Sequence, residues 1–286
     1  MARLLEIENL ALSFDTSAGL IPALRGVSFT LDRGECLALV GESGSGKSVT
    51  GMTVMRLLGA NARILSGAIR LDGEDLLKRT ERQMRQIRGK RIAMVFQNAK
   101  ASLNPIRRVG DTLTDILLAH ERTGMKRAQA REKIIGIMRQ IGIALPESRV
   151  ESYPSELSGG MCQRIAIAAA LACEPELIIA DEPTSALDVT TQQLVMDTLI
   201  SACRERGVAV IFITHDLALA SEYCDRGIVM NTGRILEEGP APAIFTEPRH
   251  AYTRALIDAL PYGKSDASQL RPMTEDYSDD SAGSAT

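Results

Sequence analysis

The 286-residue chain lacks tryptophan, and aromatic residues make up only 3% of it. Aromatic side chains form the stacking platforms of many nucleic-acid-binding proteins and the interfacial belts of membrane proteins, so this composition disfavours both classes. Charge of one sign is also lacking, because 33 lysine and arginine residues stand against 36 aspartate and glutamate residues. The net charge of −3 gives no basic field, and we expect no nucleic-acid partner.

Long hydrophobic runs and paired cysteines are missing as well. The best apolar run, Ile165–Cys173, stops at Glu174 and falls well short of the roughly 18 residues that span a bilayer. The first ten residues carry three charges and do not form a secretory signal, which predicts a chain that stays inside the cell. The five cysteines include no C-x-x-C pair, which favours buried thiols over a metal or redox site.

Two kinds of hydrophobic pattern are present. Apolar residues alternate with polar ones over Leu5–Phe14 and Val27–Leu31, which predicts a half-exposed β-region. Cys36–Val40, Leu177–Ala180 and Val208–Ile213 are continuously apolar, as is typical of parallel strands covered on both faces. Helical patterns lie between these strands, so the sequence predicts a doubly wound α/β sheet.

Two segments depart from this alternation. The stretch from about Asn98 to Leu157 has helical periodicity without a buried-strand run, which indicates a helical insert in the α/β core. After Pro261 the residues are mostly small or polar, with few that could be buried. Lys264–Thr286 is therefore predicted to be a disordered acidic tail.

The segment Gly41–Ser48 reads G-E-S-G-S-G-K-S and matches the phosphate-binding pattern G-x-x-x-x-G-K-[ST]. It lies between a predicted buried strand and a helical run, which is the context that such a loop requires. Its backbone N–H groups and the helix dipole should cradle a β-phosphate. Lys47 should reach the β- and γ-phosphates, and the Ser48 hydroxyl should ligate Mg²⁺. The residues expected to bind the nucleotide here are Gly41, Ser43, Gly44, Ser45, Gly46, Lys47, Ser48 and Val49.

Two adjacent acids follow the apolar run that begins at Leu177. Asp181 should hold Mg²⁺ through a water molecule, and Glu182 could orient and deprotonate the water that attacks the γ-phosphorus. Adjacent acids at a strand end are often merely solvated, but the preceding phosphate loop favours the metal role. These residues together indicate an Mg²⁺-dependent nucleotide hydrolase.

The tripeptide Ser158-Gly159-Gly160 precedes an alanine-rich helical run. A hydroxyl and exposed amides at a helix N-terminus offer a second anion site. Alone, the tripeptide would be an ordinary helix cap. Its order along the chain with the phosphate loop, the paired acids, Gln97 and His215 favours a functional motif.

Taken in order, these motifs are similar to those of the nucleotide-binding subunits of ATP-binding cassette (ABC) transporters, over about residues 4–261. The resemblance implies an α/β fold with a RecA-like P-loop NTPase core, an antiparallel β-region and an inserted α-helical subdomain. The ABC ATPase domain would span 1–263, with the insert at about 98–165 and a C-terminal extension at about 240–263.

The resemblance also implies roles for single residues with ATP and Mg²⁺ bound. Gln97 would touch Mg²⁺ and the attacking water, and His215 would bond the γ-phosphate next to the catalytic Glu182. Phe14 would stack on adenine, although it could equally be a core residue of the first strand. Asp188, in a D-loop at 185–188, would link two ATP sites across a dimer interface.

In the same family, the signature residues Ser158, Gly159 and Gly160 grip the γ-phosphate held by a second subunit. The resemblance therefore implies a second ABC ATPase subunit, with a heterodimer favoured over a homodimer. It further implies two transmembrane permease subunits, a periplasmic or extracellular solute-binding protein, and a peripheral position on the cytoplasmic face of a bacterial inner membrane. The position of Cys162, where arginine or glutamine is common, is a departure from the family pattern.

The transported solute is indicated by two longer motifs. Phe96–Pro105 is similar to the F-Q-x-x-x-x-S-L-N-P stretch of peptide and nickel importer ATPases, and Glu247–Leu256 resembles a C-terminal motif of the same group, with Ala251 in place of a proline. Peptide uptake is the favoured function, and uptake of nickel or opine-like solutes is the alternative. A non-transport ABC ATPase of DNA repair or translation is less favoured.

The composition of the predicted tail leads to a first test. Deletion of Ser265–Thr286 should leave ATP hydrolysis within about twofold of the full chain, because so polar a segment contributes little to a packed core. Phosphate release from the two proteins measures this, and a large loss would show that the tail has a structural or catalytic role.

Overall fold

The computed structural model describes residues 2–120, 124–185 and 187–259, so the predicted tail at 264–286 lies outside the described residues. The strands of the described part are β1 (Arg3–Thr16), β2 (Gly19–Asp32), β3 (Cys36–Val40), β4 (Ala62–Leu71), β5 (Glu74–Asp75), β6 (Ile92–Val95), β7 (Leu177–Asp181), β8 (Ala209–Thr214), β9 (Arg226–Asn231) and β10 (Arg234–Pro240). Its helices are α1 (Lys47–Met55), α2 (Glu81–Ile87), α3 (Ala99–Ser102), α4 (Val109–His120), α5 (Arg127–Gln140), α6 (Pro146–Arg149), α7 (Gly159–Leu171), α8 (Val189–Arg206), α9 (Leu217–Tyr223), α10 (Ala241–Thr246) and α11 (Ala251–Asp258).

The strands form two sheets. One has six strands in the order β10-β9-β3-β8-β7-β6, and the pairs from β9 to β6 are parallel. The other has four antiparallel strands in the order β2-β1-β4-β5. The predicted α/β class with an additional antiparallel β-region is confirmed.

The strand β3 shows how the two layers share the core. Cys36, Ala38 and Val40 pack into the cluster on the helical side of the six-stranded sheet. Leu37 and Leu39 point the other way, into the cluster shared with the antiparallel sheet. Both faces of this strand are therefore buried, which explains why its sequence is continuously apolar.

The parallel register aligns the ends of the central strands. Val40 pairs with Thr214, Ile213 pairs with Asp181, and Ala180 pairs with Val95. The segments that follow β3, β8, β7 and β6 consequently leave the sheet at one edge. In an open α/β sheet, this carboxyl edge is where ligands bind.

Between β6 and β7, the described residues form helices α3 to α7 and no strand. Val109 and Leu113 of α4 and Ile134 and Met138 of α5 are buried in the helical-side cluster, and α7 contributes Ile165 and its neighbours to it. Across the described ranges, no helix is both long and apolar enough to span a bilayer.

The C-terminal helix α11 is fixed at its start by two polar side chains. The Glu237 carboxylate on β10 accepts hydrogen bonds from the backbone N–H groups of Arg249 and His250, at 2.8 and 3.0 Å. His250 is the N-cap, and its Nδ1 accepts the N–H of Tyr252 at 3.1 Å. Ala251 is therefore the first helical residue, where related motifs carry proline.

Substitution of Ala251 by proline should stabilise the protein. A first helical residue makes no backbone N–H bond within its helix, and the extended conformation of His250, with ψ 140°, is the one that precedes proline. We expect Ala251→Pro to raise the free energy of unfolding by about 0.4 to 1 kcal/mol in urea titration. The control Ala255→Pro, inside the same helix, should lower it by about 3 kcal/mol, and an equal loss in both variants would contradict the assigned cap.

Candidate active site

The predicted catalytic residues meet at the carboxyl edge of the six-stranded sheet. The phosphate loop follows β3, Glu182 follows β7, His215 follows β8, and Gln97 lies just beyond β6. Two adjoining cavities of about 580 and 300 Å³ open along this edge, and both are lined by Gln97 and Glu182. Residues that are far apart in sequence are thus gathered along one cleft.

The phosphate loop passes close to a neighbouring strand. Gly41 has φ 144°, and a Cβ atom placed on it would lie 2.1 Å from the carbonyl oxygen of Met230 on β9. Any other residue would clash with the backbone of β9, which explains why the first position of the motif is glycine. The smaller cavity is lined by Ala23, Ser43, Gly44, Gly46, Lys47, Ser48, Val49, Gln97 and Glu182.

Lys47 is buried within the loop, with 5% of its surface exposed. Its Nζ donates hydrogen bonds to the carbonyl oxygens of Gly41 and Glu42, both at 2.7 Å, and to Ser45 Oγ at 3.3 Å. Burial lowers the pKa of the ammonium group, while the nearby carboxylates of Glu182 and Asp181 oppose that shift. An anion in the cleft would offer this ammonium stronger, charge-assisted partners than the loop carbonyls.

Ser48 and Asp181 join the phosphate loop to β7. Ser48 Oγ donates to Asp181 Oδ1 at 2.8 Å, and the carboxylate is mostly buried. Burial raises the pKa of Asp181, and the bond from Ser48 partly offsets that effect. Three side chains here offer oxygen ligands of the kind that Mg²⁺ prefers: the Ser48 hydroxyl, the Asp181 carboxylate and the Gln97 amide. Mg²⁺ commonly takes few protein ligands and completes its coordination shell with waters and phosphates. The described residues hold no cluster of three or more His, Cys, Asp or Glu able to bind a metal.

Glu182 lies between the two other predicted catalytic side chains. Its Oε2 accepts a hydrogen bond from Gln97 Nε2 at 2.8 Å, and its Oε1 lies 3.2 Å from Nδ1 of His215. Its backbone has φ 44°, a conformation that is costly for a residue with a side chain, and its N–H donates to the Ile213 carbonyl at 2.9 Å. The end of β7 therefore holds this carboxylate in the cleft despite local strain.

The signature residues form the start of α7. The Ser158 side chain caps the helix by accepting the N–H of Met161 at 3.3 Å, and Gly159 lines the larger cavity. Asp188 caps α8 in the same way, and its bonds from the hydroxyl and N–H of Thr191 lower the pKa of the carboxyl. Ser158, Gly160 and Asp188 do not line the phosphate-loop cavity of their own chain.

Phe14 also lies apart from the lining of both cavities. It is a partly buried residue of β1 that pairs with Ile21 and Ala62 and packs against the core of the antiparallel sheet. The nearby Ala23 lines the phosphate cavity, and no chemical signal in the sequence distinguishes this alanine.

Two signature-helix residues have unexpected environments. Cys162 is fully buried, and its Sγ lies 3.6 Å from the Pro154 carbonyl oxygen, so this departure from the family pattern sits in the core. Burial raises the pKa of the thiol. Gln163 is buried and lines the larger cavity, and its Nε2 has no hydrogen-bond partner among the described residues. Sequence alone does not single out Gln163, because this residue follows the Ser158-Gly159-Gly160 motif inside an otherwise apolar helix.

A phosphate loop, a buried aspartate beside the loop serine and an adjacent carboxylate, all at the carboxyl edge of a parallel sheet, define a P-loop nucleotide hydrolase. The family model described as ABC transporter matches residues 24–185. The chain belongs to this family and carries its ATP-hydrolysing domain.

Named relatives are similar over most of the chain. The oligopeptide transport ATP-binding protein OppD of Bacillus subtilis is 44% identical over 262 residues, which cover 91% of this chain and 73% of the relative. The dipeptide transport ATP-binding protein DppD of Escherichia coli is 40% identical over 270 residues, covering 94% and 82%.

Solved structures show the same fold. A dimeric ATP-binding cassette in a post-hydrolysis state with ADP and Pi has a TM-score of 0.75 at 28% identity, covering 83% of this chain and 99% of that one. A component of an ABC transporter complex from Clostridium perfringens has a TM-score of 0.73 at 27% identity, covering 86% and 92%.

The two signature glycines should differ in their tolerance of a methyl group. A Cβ on Gly160 would lie 2.4 Å from Thr191 Cγ2, and that side chain is fixed by its hydroxyl bond to Asp188. A Cβ on Gly159 would meet Leu187 at an ordinary 3.6 Å. Gly160→Ala should lower the free energy of unfolding by about 1 to 3 kcal/mol, and Gly159→Ala should change it by less than about 1 kcal/mol. Urea titration compares them, and equal stabilities would contradict this packing of α7 on α8.

Proposed function

We propose that this chain is the ATP-binding and ATP-hydrolysing subunit of an ABC importer that powers the uptake of peptides. The contact of Glu182 with both Gln97 and His215 is the observation that carries the hydrolytic part. The peptide part is supported by relatives at 40 to 46% identity that are named oligopeptide or dipeptide transport ATP-binding proteins. The ABC ATPase domain spans 1–263 in this proposal, with a helical insert at about 98–165 and an extension at about 240–263.

In the proposed site, Lys47 and the loop amides bind the β- and γ-phosphates. Glu182 orients the attacking water and accepts its proton, and Gln97 positions both that water and the carboxylate. His215 donates a hydrogen bond to the γ-phosphate, where negative charge develops during transfer. The compact cluster of these side chains supports such a division of roles.

Ser48, Asp181 and Gln97 would hold Mg²⁺, whose charge would neutralise part of the phosphate charge when ATP is bound. The hydrogen bond between Ser48 and Asp181 keeps two of these donors together. The proposed contact for the adenine ring is Phe14. Its cross-strand neighbour Ile21 on β2 lies two residues from Ala23, which lines the phosphate-loop cavity.

A second ABC subunit completes each site in this proposal. Ser158, Gly159 and Gly160 lie at a helix N-terminus that could bind the γ-phosphate of the partner's ATP, and Asp188 would link the two sites. The absence of Ser158 and Asp188 from the phosphate cavity of their own chain supports a role across an interface. A heterodimer is favoured over a homodimer, as in peptide importers that pair two different ATPases.

The remaining partners would be two transmembrane permease subunits and, through them, a periplasmic or extracellular solute-binding protein. The chain would lie at the cytoplasmic face of the inner membrane. Ile106 directly follows the Phe96–Pro105 motif along the chain, and it is 83% exposed. Such an exposed apolar side chain, at the end of the segment that begins with the catalytic glutamine, supports docking of a permease helix there, so that dimer closure reaches the channel.

Substitution of Glu182 by glutamine separates binding from hydrolysis. The amide keeps the shape of the side chain but cannot accept the proton of water, so ATP turnover should fall about 100-fold or more. Binding of a fluorescent ATP analogue should remain within about threefold, since the phosphate loop is unchanged. The exposed Glu205, substituted in the same way, provides the control. Normal turnover of Glu182→Gln in the assembled transporter would refute the role of Glu182.

The solute is tested in liposomes that contain the chain, its second ATPase and the permeases, with the binding protein outside. ATP inside should drive accumulation of a labelled peptide. Accumulation of Ni²⁺ or an opine without any peptide uptake would contradict the peptide proposal and favour the alternative solutes.

A further inference from the structure

Tyr252 connects the C-terminal helix α11 to the phosphate loop. Its side chain is 1% exposed, and its hydroxyl oxygen accepts a hydrogen bond from the backbone N–H of Glu42 at 3.4 Å. The two residues are 210 positions apart in the chain, so only the tertiary fold brings them together. Glu42 is the second residue of the loop motif that begins at Gly41.

The peptide groups next to this contact are those that hold the loop lysine. The carbonyl oxygens of Gly41 and Glu42 both accept from Lys47 Nζ at 2.7 Å. Glu42 is an exposed residue, but its backbone N–H is partly buried against Tyr252, whose hydroxyl gives it a protein acceptor in place of water. The orientation of the Glu42 peptide therefore depends on a side chain from the C-terminal helix.

The loop also lies close to the sheet at Gly41. The Met230 carbonyl on β9 lies so close to Gly41 that no side chain fits between them. β9 pairs with β10, and Glu237 on β10 holds the start of α11 through the N–H groups of Arg249 and His250. The first turn of the phosphate loop thus lies close to β9 and contacts a helix that is anchored to the neighbouring strand.

We propose that Tyr252 is a positioning residue for ATP: its hydroxyl fixes the Glu42 peptide and presets the phosphate loop for the nucleotide. This role rests on the proposed ATP site. It gives a function to the C-terminal motif Glu247–Leu256, which takes no part in the proposed hydrolysis step. Without the hydroxyl, the Glu42 N–H loses its protein acceptor, and the loop occupies the conformation that binds the nucleotide for a smaller fraction of the time. The apparent dissociation constant rises in proportion to that loss.

The test is Tyr252→Phe in the full chain, which removes one oxygen atom and keeps the buried ring. The net worth of one hydrogen bond corresponds to about a threefold to tenfold weaker binding of a fluorescent ATP analogue. In the assembled transporter, KM for ATP should rise by a similar factor while kcat stays within about twofold, because the groups around the attacking water are untouched.

Tyr223→Phe is the matched control. This tyrosine is also buried, and its hydroxyl donates to Asp197 Oδ1 at 2.9 Å, between α9 and α8 and away from the loop. It should lower Tm about as much as Tyr252→Phe and leave ATP affinity unchanged. Glu237→Gln, which weakens the anchor of α11, should shift ATP affinity in the same direction as Tyr252→Phe.

The outcomes separate this inference from the proposed function. Equal ATP affinity of wild type and Tyr252→Phe overturns the role of Tyr252 and leaves the ATPase proposal standing. Equal losses in Tyr252→Phe and Tyr223→Phe assign the effect to general stability and also overturn it, as does a fall in kcat at constant KM. Failure of the wild-type chain to bind the nucleotide overturns the proposed function itself.

Discussion

The parallel register of β3, β8, β7 and β6 is the constraint on which the active site depends. Because Val40, Thr214 and Asp181 end neighbouring strands at one edge, the phosphate loop, His215 and Glu182 emerge side by side. The strands themselves are buried on both faces, so the sheet is held by two hydrophobic clusters and not by the polar groups it presents. A rigid edge of this kind can carry charged groups that would not assemble on their own.

Two charged groups at this edge, Lys47 and Asp181, lie in environments that oppose their charge. Burial lowers the pKa of Lys47 and raises that of Asp181, and Glu182 occupies a strained backbone conformation. Each of these costs is met by the surrounding fold: loop carbonyls hold the ammonium, Ser48 bonds the aspartate and Ile213 bonds the glutamate N–H. A nucleotide with its magnesium ion would supply opposite charges to Lys47 and Asp181, so binding and site formation are energetically linked.

Much of this site could be predicted from sequence because its signals are local. The glycines of the loop, the continuous apolar run before Asp181 and the helix-capping Ser158 each lie within a few residues of the element they define. The close approach of α8 to Gly160, which leaves no room for a Cβ beside Thr191, and the hydrogen bond between Tyr252 and Glu42 join distant segments, and nothing in the local patterns specifies them. The sequence around Phe14 allows two interpretations for the same reason: an aromatic residue in an alternating strand fits either a core position or a ligand contact, and the local pattern does not distinguish them.

In the proposed assembly one chain holds an incomplete site, because the signature serine and Asp188 do not line the phosphate-loop cavity of their own chain. The most direct measurement is the rate of ATP hydrolysis per chain, for the isolated protein at low concentration and for the complex with its second ATPase and permeases. We expect slow hydrolysis by the isolated chain and a rate about tenfold or more higher in the complex, because hydrogen-bond donors from a second subunit stabilise the transition state there. The same rate per chain in both preparations would contradict it.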